Sequence, residues 1–275
     1  MNNFPKSMGM PTPGLSLKVA AWMANASALA YEDHVDIEAQ LKTMSGFIGC
    51  QFFDEQGTQA FLAEFQTCQV LVFRGTQLNE PADILADLNF KKTKRVNSIT
   101  GQVHAGFYKA LSAVSKDITT ALNISRKSIY ISGHSLGGAL AVLMAAKLMN
   151  PFLTTCGEVI GVYTFGCPRT GDKIFQDSQN IYIKAPHYRF TNSSDIVPWL
   201  PFIIFNYRHT GHHIHLTTTG KILRNPGLCR SLASVIMGLI PGLLRASSWV
   251  GRFPYRLFTD HAISNYQIKL VKVIK

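Results

Sequence analysis

The strongest chemical signal in the chain is the stretch Ser128-Ile129-Tyr130-Ile131-Ser132-Gly133-His134-Ser135-Leu136-Gly137-Gly138-Ala139. An apolar run leads into Gly133-x-Ser135-x-Gly137, and an Ala-rich segment follows it. A strand entering and a helix leaving such a turn is the setting a nucleophile elbow requires. Its two glycines leave room where a Cβ would collide with neighbouring backbone, and the turn lifts the serine hydroxyl clear of the sheet. The following helix aims backbone N–H groups and the positive end of its dipole at that hydroxyl. The bare pattern is weak, because glycine and serine are common, and its weight comes from the strand-to-helix context. An ordinary turn is the plain alternative.

A serine hydroxyl is a poor nucleophile at neutral pH. It needs a histidine to take its proton and a carboxylate to hold that histidine's tautomer. In the α/β-hydrolase arrangement the chain order is serine, then Asp or Glu, then histidine. After Ser135 the acids are Glu158, Asp172, Asp177, Asp195 and Asp260. Asp195 follows a predicted strand in Arg189–Pro198, where its carboxylate would emerge at the C-terminal edge of the sheet beside the elbow; a surface-turn aspartate is the alternative. His187 precedes Asp195 and fails the order, which leaves His209, His212, His213, His215 and His261.

Four of those lie in Arg208-His209-Thr210-Gly211-His212-His213-Ile214-His215, which invites a metal reading because imidazole suits zinc, copper and nickel. No Cys or acid stands nearby, and His213 and His215 alternate as in a strand. The expectation is a solvent-facing polar strand, with no metal and no organic cofactor.

The elements that must position these groups follow from periodicity. Residues 46–74 predict strands at Phe47–Phe53, Gln59–Phe65 and Gln69–Phe73, with a hairpin turn at Asp54-Glu55-Gln56-Gly57. Beyond them, helices are predicted over Ala105–Leu122 and Gly137–Met149, and strands over Ser128–Ser132, Val159–Phe165 and Tyr188–Thr191. The alternation implies an α/β class, α/β-hydrolase-like, with a mostly parallel central sheet flanked by helices. One domain over 16–275 is expected after a loose lead-in at 1–15.

Hydrophobic residues make up 47% and charged ones 16%, a globular or interface-seeking composition. The net charge of +11 favours anionic partners. Without aromatics interleaved among the basic residues, an acidic membrane surface is preferred to nucleic acid. Five cysteines without a CxxC spacing suggest thiols in a reducing compartment and a cytoplasmic or peripheral-membrane location. Lys18–Ala30 mimics a signal peptide, yet Val19, Trp22, Met23, Ala26 and Ala30 share one helical face, predicting a helix near 16–31. Secretion without a clear signal peptide stays open. Oligomeric state leaves no signal.

Five blocks in order then resemble the class 3, fungal-type lipases: Val72-Phe73-Arg74-Gly75-Thr76, Val103-His104-Ala105-Gly106-Phe107, Gly133 to Gly137, Thr164-Phe165-Gly166-Cys167-Pro168-Arg169-Thr170-Gly171, and the block bearing Asp195. The likeness covers roughly residues 45–200 and resumes near 260, where Asp260-His261-Ala262-Ile263-Ser264-Asn265-Tyr266 resembles the late histidine block. The resemblance, with the chain order, favours His261 as the partner of Ser135 and Asp195. It also implies an oxyanion hole at Thr76, through its N–H and its hydroxyl, and at the N–H of Leu136.

The family carries a lid where this chain has residues 77–89. Ile84, Leu85 and Leu88 give that stretch one apolar helical face, as they would in an ordinary structural helix. Departure from the family lies at 216–258, which includes the uncharged run Leu232–Leu244. That run is too short to span a bilayer; it covers an acyl pocket, dips into lipid, or is buried core. The expected activity is lipid ester hydrolysis through an acyl-serine, of the triacylglycerol lipase or phospholipase A1 type. A small-ester esterase and a non-catalytic lipid-binding module on the same fold are the alternatives.

Overall fold

The computed structural model describes residues 14–76, 91–93, 99–149, 156–182, 186–227 and 259–274. β1 (Phe47–Glu55), β2 (Thr58–Phe65) and β3 (Cys68–Phe73) form an antiparallel meander. The turn between β1 and β2 holds Gln56 at φ 52° and Gly57 at φ 77°, inside the Glu55–Thr58 pair. Two positive-φ residues in a two-residue hairpin match the right-handed twist of the strands. β4 (Ser128–His134), β5 (Val159–Phe165), β6 (His187–Asn192) and β7 (His212–Leu216) continue the sheet in parallel, and β8 (Ile222–Arg224) closes it antiparallel. Among the described residues the sheet has eight strands in chain order.

The helices are α1 (Leu17–Leu29), α2 (His34–Lys42), α3 (Ala105–Ser125), α4 (Leu136–Leu148), α5 (Lys173–Tyr182) and α6 (Ile263–Ile274). Successive side chains of a strand point to opposite faces, and here the two faces receive different helices. Leu71, Phe73, Ile129 and Ile131 pack with Leu111, Val114 and Ile118 of α3 and with α4. Val70, Val72, Tyr130, Phe165 and Phe190 pack with α1, with Ile37 and Leu41 of α2, and with Tyr266 and Leu270 of α6. Both faces of the central strands are thus covered, which explains their unbroken apolar sequence.

α1 resolves the leader-like stretch. Ser16 accepts a hydrogen bond from the Val19 N–H and starts the helix, and Trp22, Met23 and the alanines are buried almost all round. Its apolarity is that of a core helix. α3 runs three residues past the expected end because Arg126, at φ 54°, supplies a left-handed cap. The sequence did not reveal α2, α5 or α6; α2 buries only Ile37 and Leu41, too few for a clear helical stripe.

The candidate lid at 77–89 and the run 232–244 lie outside the described residues, as do 228–258 of the apolar insertion and 1–13 of the lead-in. No helix among the described residues is long and apolar enough to cross a membrane.

Candidate active site at the end of β4

The elbow is enforced by backbone contact. A Cβ at Gly133 would stand 2.3 Å from the Gly137 carbonyl, and one at Gly137 only 2.2 Å from the Phe73 oxygen and 2.9 Å from the Arg74 carbonyl carbon. Only glycines let β4, α4 and the end of β3 approach so closely. Between them Ser135 takes φ 57° and ψ −128° as the residue preceding α4, a conformation costly for any side-chain-bearing residue. Its N–H donates to the Phe165 carbonyl at 2.9 Å, which ties the serine to the end of β5.

The next residue, Gly166, links Ser135 to the other two candidates. A Cβ there would lie 2.8 Å from the His261 ring and 3.0 Å from Asp195 Oδ2. Asp195 follows β6 and accepts from His261 Nδ1 at 2.9 Å through Oδ2. It also accepts from the Tyr266 hydroxyl at 2.6 Å and, through Oδ1, from the Val197 N–H at 2.9 Å. A carboxylate with all these donors is fixed in orientation. It keeps the proton of a neutral His261 on Nδ1, leaving Nε2 with a lone pair. That Nε2 is buried and has no hydrogen-bond partner among the described residues. Ser135, Asp195 and His261 are all less than a tenth exposed.

His134 and Tyr31 hold the histidine from behind. His134 Nε2 lies 2.7 Å from the His261 carbonyl, and His134 Nδ1 lies 2.8 Å from the Tyr31 hydroxyl. A carbonyl only accepts, so Nε2 carries the proton. Burial first, and the adjacent His261 second, keep His134 neutral by pushing its pKa well below the ordinary value. Nδ1 therefore accepts from Tyr31. Asp260 braces the acid's loop, accepting from both the Ser194 N–H and the Ser194 hydroxyl. Sequence reasoning did not find Tyr266, Tyr31 or His134. The signal for Tyr266 was present: a hydroxyl five residues beyond a candidate histidine, at the start of a helix.

Thr76 lies exposed, three residues past the end of β3, and Leu136 is the first residue of α4. The contact between Gly137 and Phe73-Arg74 brings the chain leading to Thr76 against the first turn of α4.

The histidine cluster differs from expectation. It does form the strand β7, but His215 is 2% exposed rather than solvent-facing, and His213 is half-buried. Both hydrogen-bond the Thr191 hydroxyl on β6, at 2.8 Å each, because β7 has β6 beside it and Ser193 donates its N–H across to Leu216. His209 is tied to the Pro198 carbonyl at 2.6 Å. Among the described residues no group of His, Cys, Asp and Glu is arranged to hold a metal.

The family model described as Lipase (class 3) matches residues 70–205, a span that includes Ser135 and Asp195 and stops short of His261. A secreted mono- and diacylglycerol lipase of Fusarium solani is 37% identical over 113 residues, 39% of this chain and 32% of that protein. A lipase of Rhizomucor miehei is 31% identical over 152 residues, 54% of this chain and 41% of that one. The chain thus spans less than half the length of these curated relatives. A solved structure of the Rhizomucor miehei triacylglyceride lipase superposes with a TM-score of 0.65 at 24% identity, over 77% of this chain and 84% of the other, and so shares the α/β fold. By its ordered motifs, its sheet and its elbow, the chain is similar to the class 3 lipases, whose family model matches just under half of it.

Proposed function

We propose that the protein hydrolyses lipid carboxylic esters through an acyl-serine intermediate, with Ser135 as nucleophile, His261 as general base and then general acid, and Asp195 as the residue that orients it. The observation that carries this reading is the Asp195–His261 hydrogen bond beside Gly166, whose neighbour Phe165 accepts through its carbonyl from the N–H of Ser135 in its elbow conformation, with His261 Nε2 unpartnered among the described residues. His261 Nε2 takes the hydroxyl proton as Ser135 Oγ attacks the ester carbonyl. The N–H groups of Leu136 and Thr76 receive the oxyanion, and His261 returns the proton to the departing alcohol. Water then repeats the sequence on the acyl-enzyme. No metal or cofactor takes part in this scheme.

The relatives' names, mono- and diacylglycerol lipase and triacylglycerol lipase, support acylglycerols as the substrate class, with phospholipids and small esters as the arms of a comparison. Contact with an anionic lipid surface is part of the same reading. It is supported by the charge of +11 and by the exposed run Phe202, Ile203, Ile204 and Phe205, next to Lys92, whose ammonium donates to the Phe205 carbonyl. We place the protein at the periphery of such a surface, as one domain.

The test is labelling with a fluorophosphonate probe, followed by hydrolysis of an acylglycerol, phospholipid and short-ester panel. Wild type should label and turn over. Ser135→Ala should do neither, and His261→Ala should be as inactive because the members act as a unit; Asp195→Asn should cost on the order of 10⁴ in kcat. A folded wild type that neither labels nor hydrolyses any ester is instead a non-catalytic lipid-binding module.

A further inference from the structure

Beside Asp195 lies a cavity of about 160 Å³ whose wall includes Arg169, Arg189, His209, His213 and His215. Arg189, on β6, is 7% exposed, and its Nε is buried with no hydrogen-bond partner among the described residues. Arg169 is 8% exposed and donates through Nη1 to the carbonyls of Trp199 and Pro201. Neither arginine has an ion-pair partner among the described residues. The one carboxylate on the wall, Asp195, is already engaged by His261, Tyr266 and Val197. The sequence contains no Asp or Glu from 196 to 259.

The imidazoles add no charge at neutral pH. Burial, and then mainly the neighbouring Arg189, hold His209 well below the ordinary value and His213 down at about 2. Burial, Lys269 and Arg189 do the same to His215, at about 4. Two buried cations thus share a space with a single carboxylate that neither of them ion-pairs among the described residues, which leaves a net positive charge on the wall, a costly arrangement unless something pairs with it. The space lies below the several hundred Å³ of pockets for organic ligands, so it suits a small ion rather than an acyl chain. The planar fork of a guanidinium matches the oxygens of a tetrahedral oxyanion.

We propose that this cavity binds a phosphate group, with the Arg189 guanidinium as the principal ligand and Arg169 as its second cation. The site is distinct from the ester-binding side of Ser135, and its existence does not depend on the hydrolase reading. The phosphate arrives either as the free ion or as the exposed headgroup of a phosphomonoester lipid; the recognising chemistry is the same.

The experiment is isothermal titration of the full chain with sodium phosphate, and separately with sodium chloride at equal ionic strength, alongside binding to phosphatidic acid vesicles. Saturable phosphate binding that Arg189→Gln weakens by about tenfold or more, and that the exposed-site control Arg224→Gln leaves unchanged, supports a free-ion site. Vesicle binding lost in Arg189→Gln without free-phosphate binding supports a headgroup site. Should Arg189→Gln fail to fold, the wild-type thermal midpoint decides, since a ligand of the native state raises it: a rise with phosphate beyond that with chloride, reduced in Arg169→Gln, supports the site. Neither phosphate-specific heat nor stabilisation in the wild type, with vesicle binding unaffected by the Arg169 or Arg189 change, overturns the proposal, as does phosphate binding that survives both.

Discussion

Ser135 is held at φ 57° and ψ −128°, a conformation that costs of order 1–3 kcal/mol and persists because β3, β5 and α4 over-determine it. That residue was legible in the sequence because the elbow needs glycines at fixed offsets. Asp195 was legible from its position after a strand. His261 was not separable from four other histidines by chain order alone; only the block around it distinguished it. Tyr31 and His134 were invisible because their partners lie about 100 to 130 residues away, and no local pattern encodes such pairings. His187 illustrates what a buried imidazole does to stability. It sits between the hydroxyls of Thr164 and Thr210, at 3.0 Å each, and burial first, then Arg189 and His212, lower its pKa from 6.5 to about 3. Between those values the unfolded chain binds a proton that the native state does not. The stability is therefore full above about pH 6.5 and falls on acidification by about 1.4 kcal/mol per unit for this one group. Urea unfolding from pH 7 to 5 should show a slope steeper in the wild type than in His187→Gln by about that amount, the other buried histidines contributing to both; equal slopes would refute the assignment.

Among the elements, the strands were the most legible. Predicted and observed strands agree at Val159–Phe165 and end together at Phe65 and Phe73, because aromatic and β-branched runs buried on both faces leave an unambiguous pattern. β4 extends two residues further, through Gly133 and His134, since its pairing with β5 continues to Phe165. Glycine reads as a terminator locally, whereas here it is the price of close packing against α4. The same packing makes a prediction. Gly137→Ala would drive a methyl into the Phe73 carbonyl, whereas a Cβ at Gly49 meets nothing within 4 Å. Gly137→Ala should destabilise by about 3 kcal/mol or more, beyond the usual range for overpacking, and Gly49→Ala should change the urea midpoint little. Comparable midpoints would mean that β3 and α4 are free to separate.

At the scale of the whole molecule, charge and exposed apolar surface act together. With +11 net charge and Phe202–Phe205 exposed beside Lys92, binding to acidic vesicles should exceed binding to zwitterionic ones. It should weaken as salt shortens the electrostatic range from about 30 Å at 0.01 M to about 8 Å at 0.15 M. Co-sedimentation across a salt series reads this directly, and equal, salt-independent retention on both vesicle types would sink it. The packing of α6 on α1 was not foreseeable from either sequence segment, since each shows only its own apolar residues. Gln267 donates to Asn25 at 2.7 Å, and Tyr31 reaches the His261 carbonyl through His134. A ribosome therefore delivers the proposed nucleophile and its acid well before the base, and the base is seated only when α6 returns to the first helix. Order of synthesis thus leaves the proposed triad incomplete until the last helix has been made and has found the first.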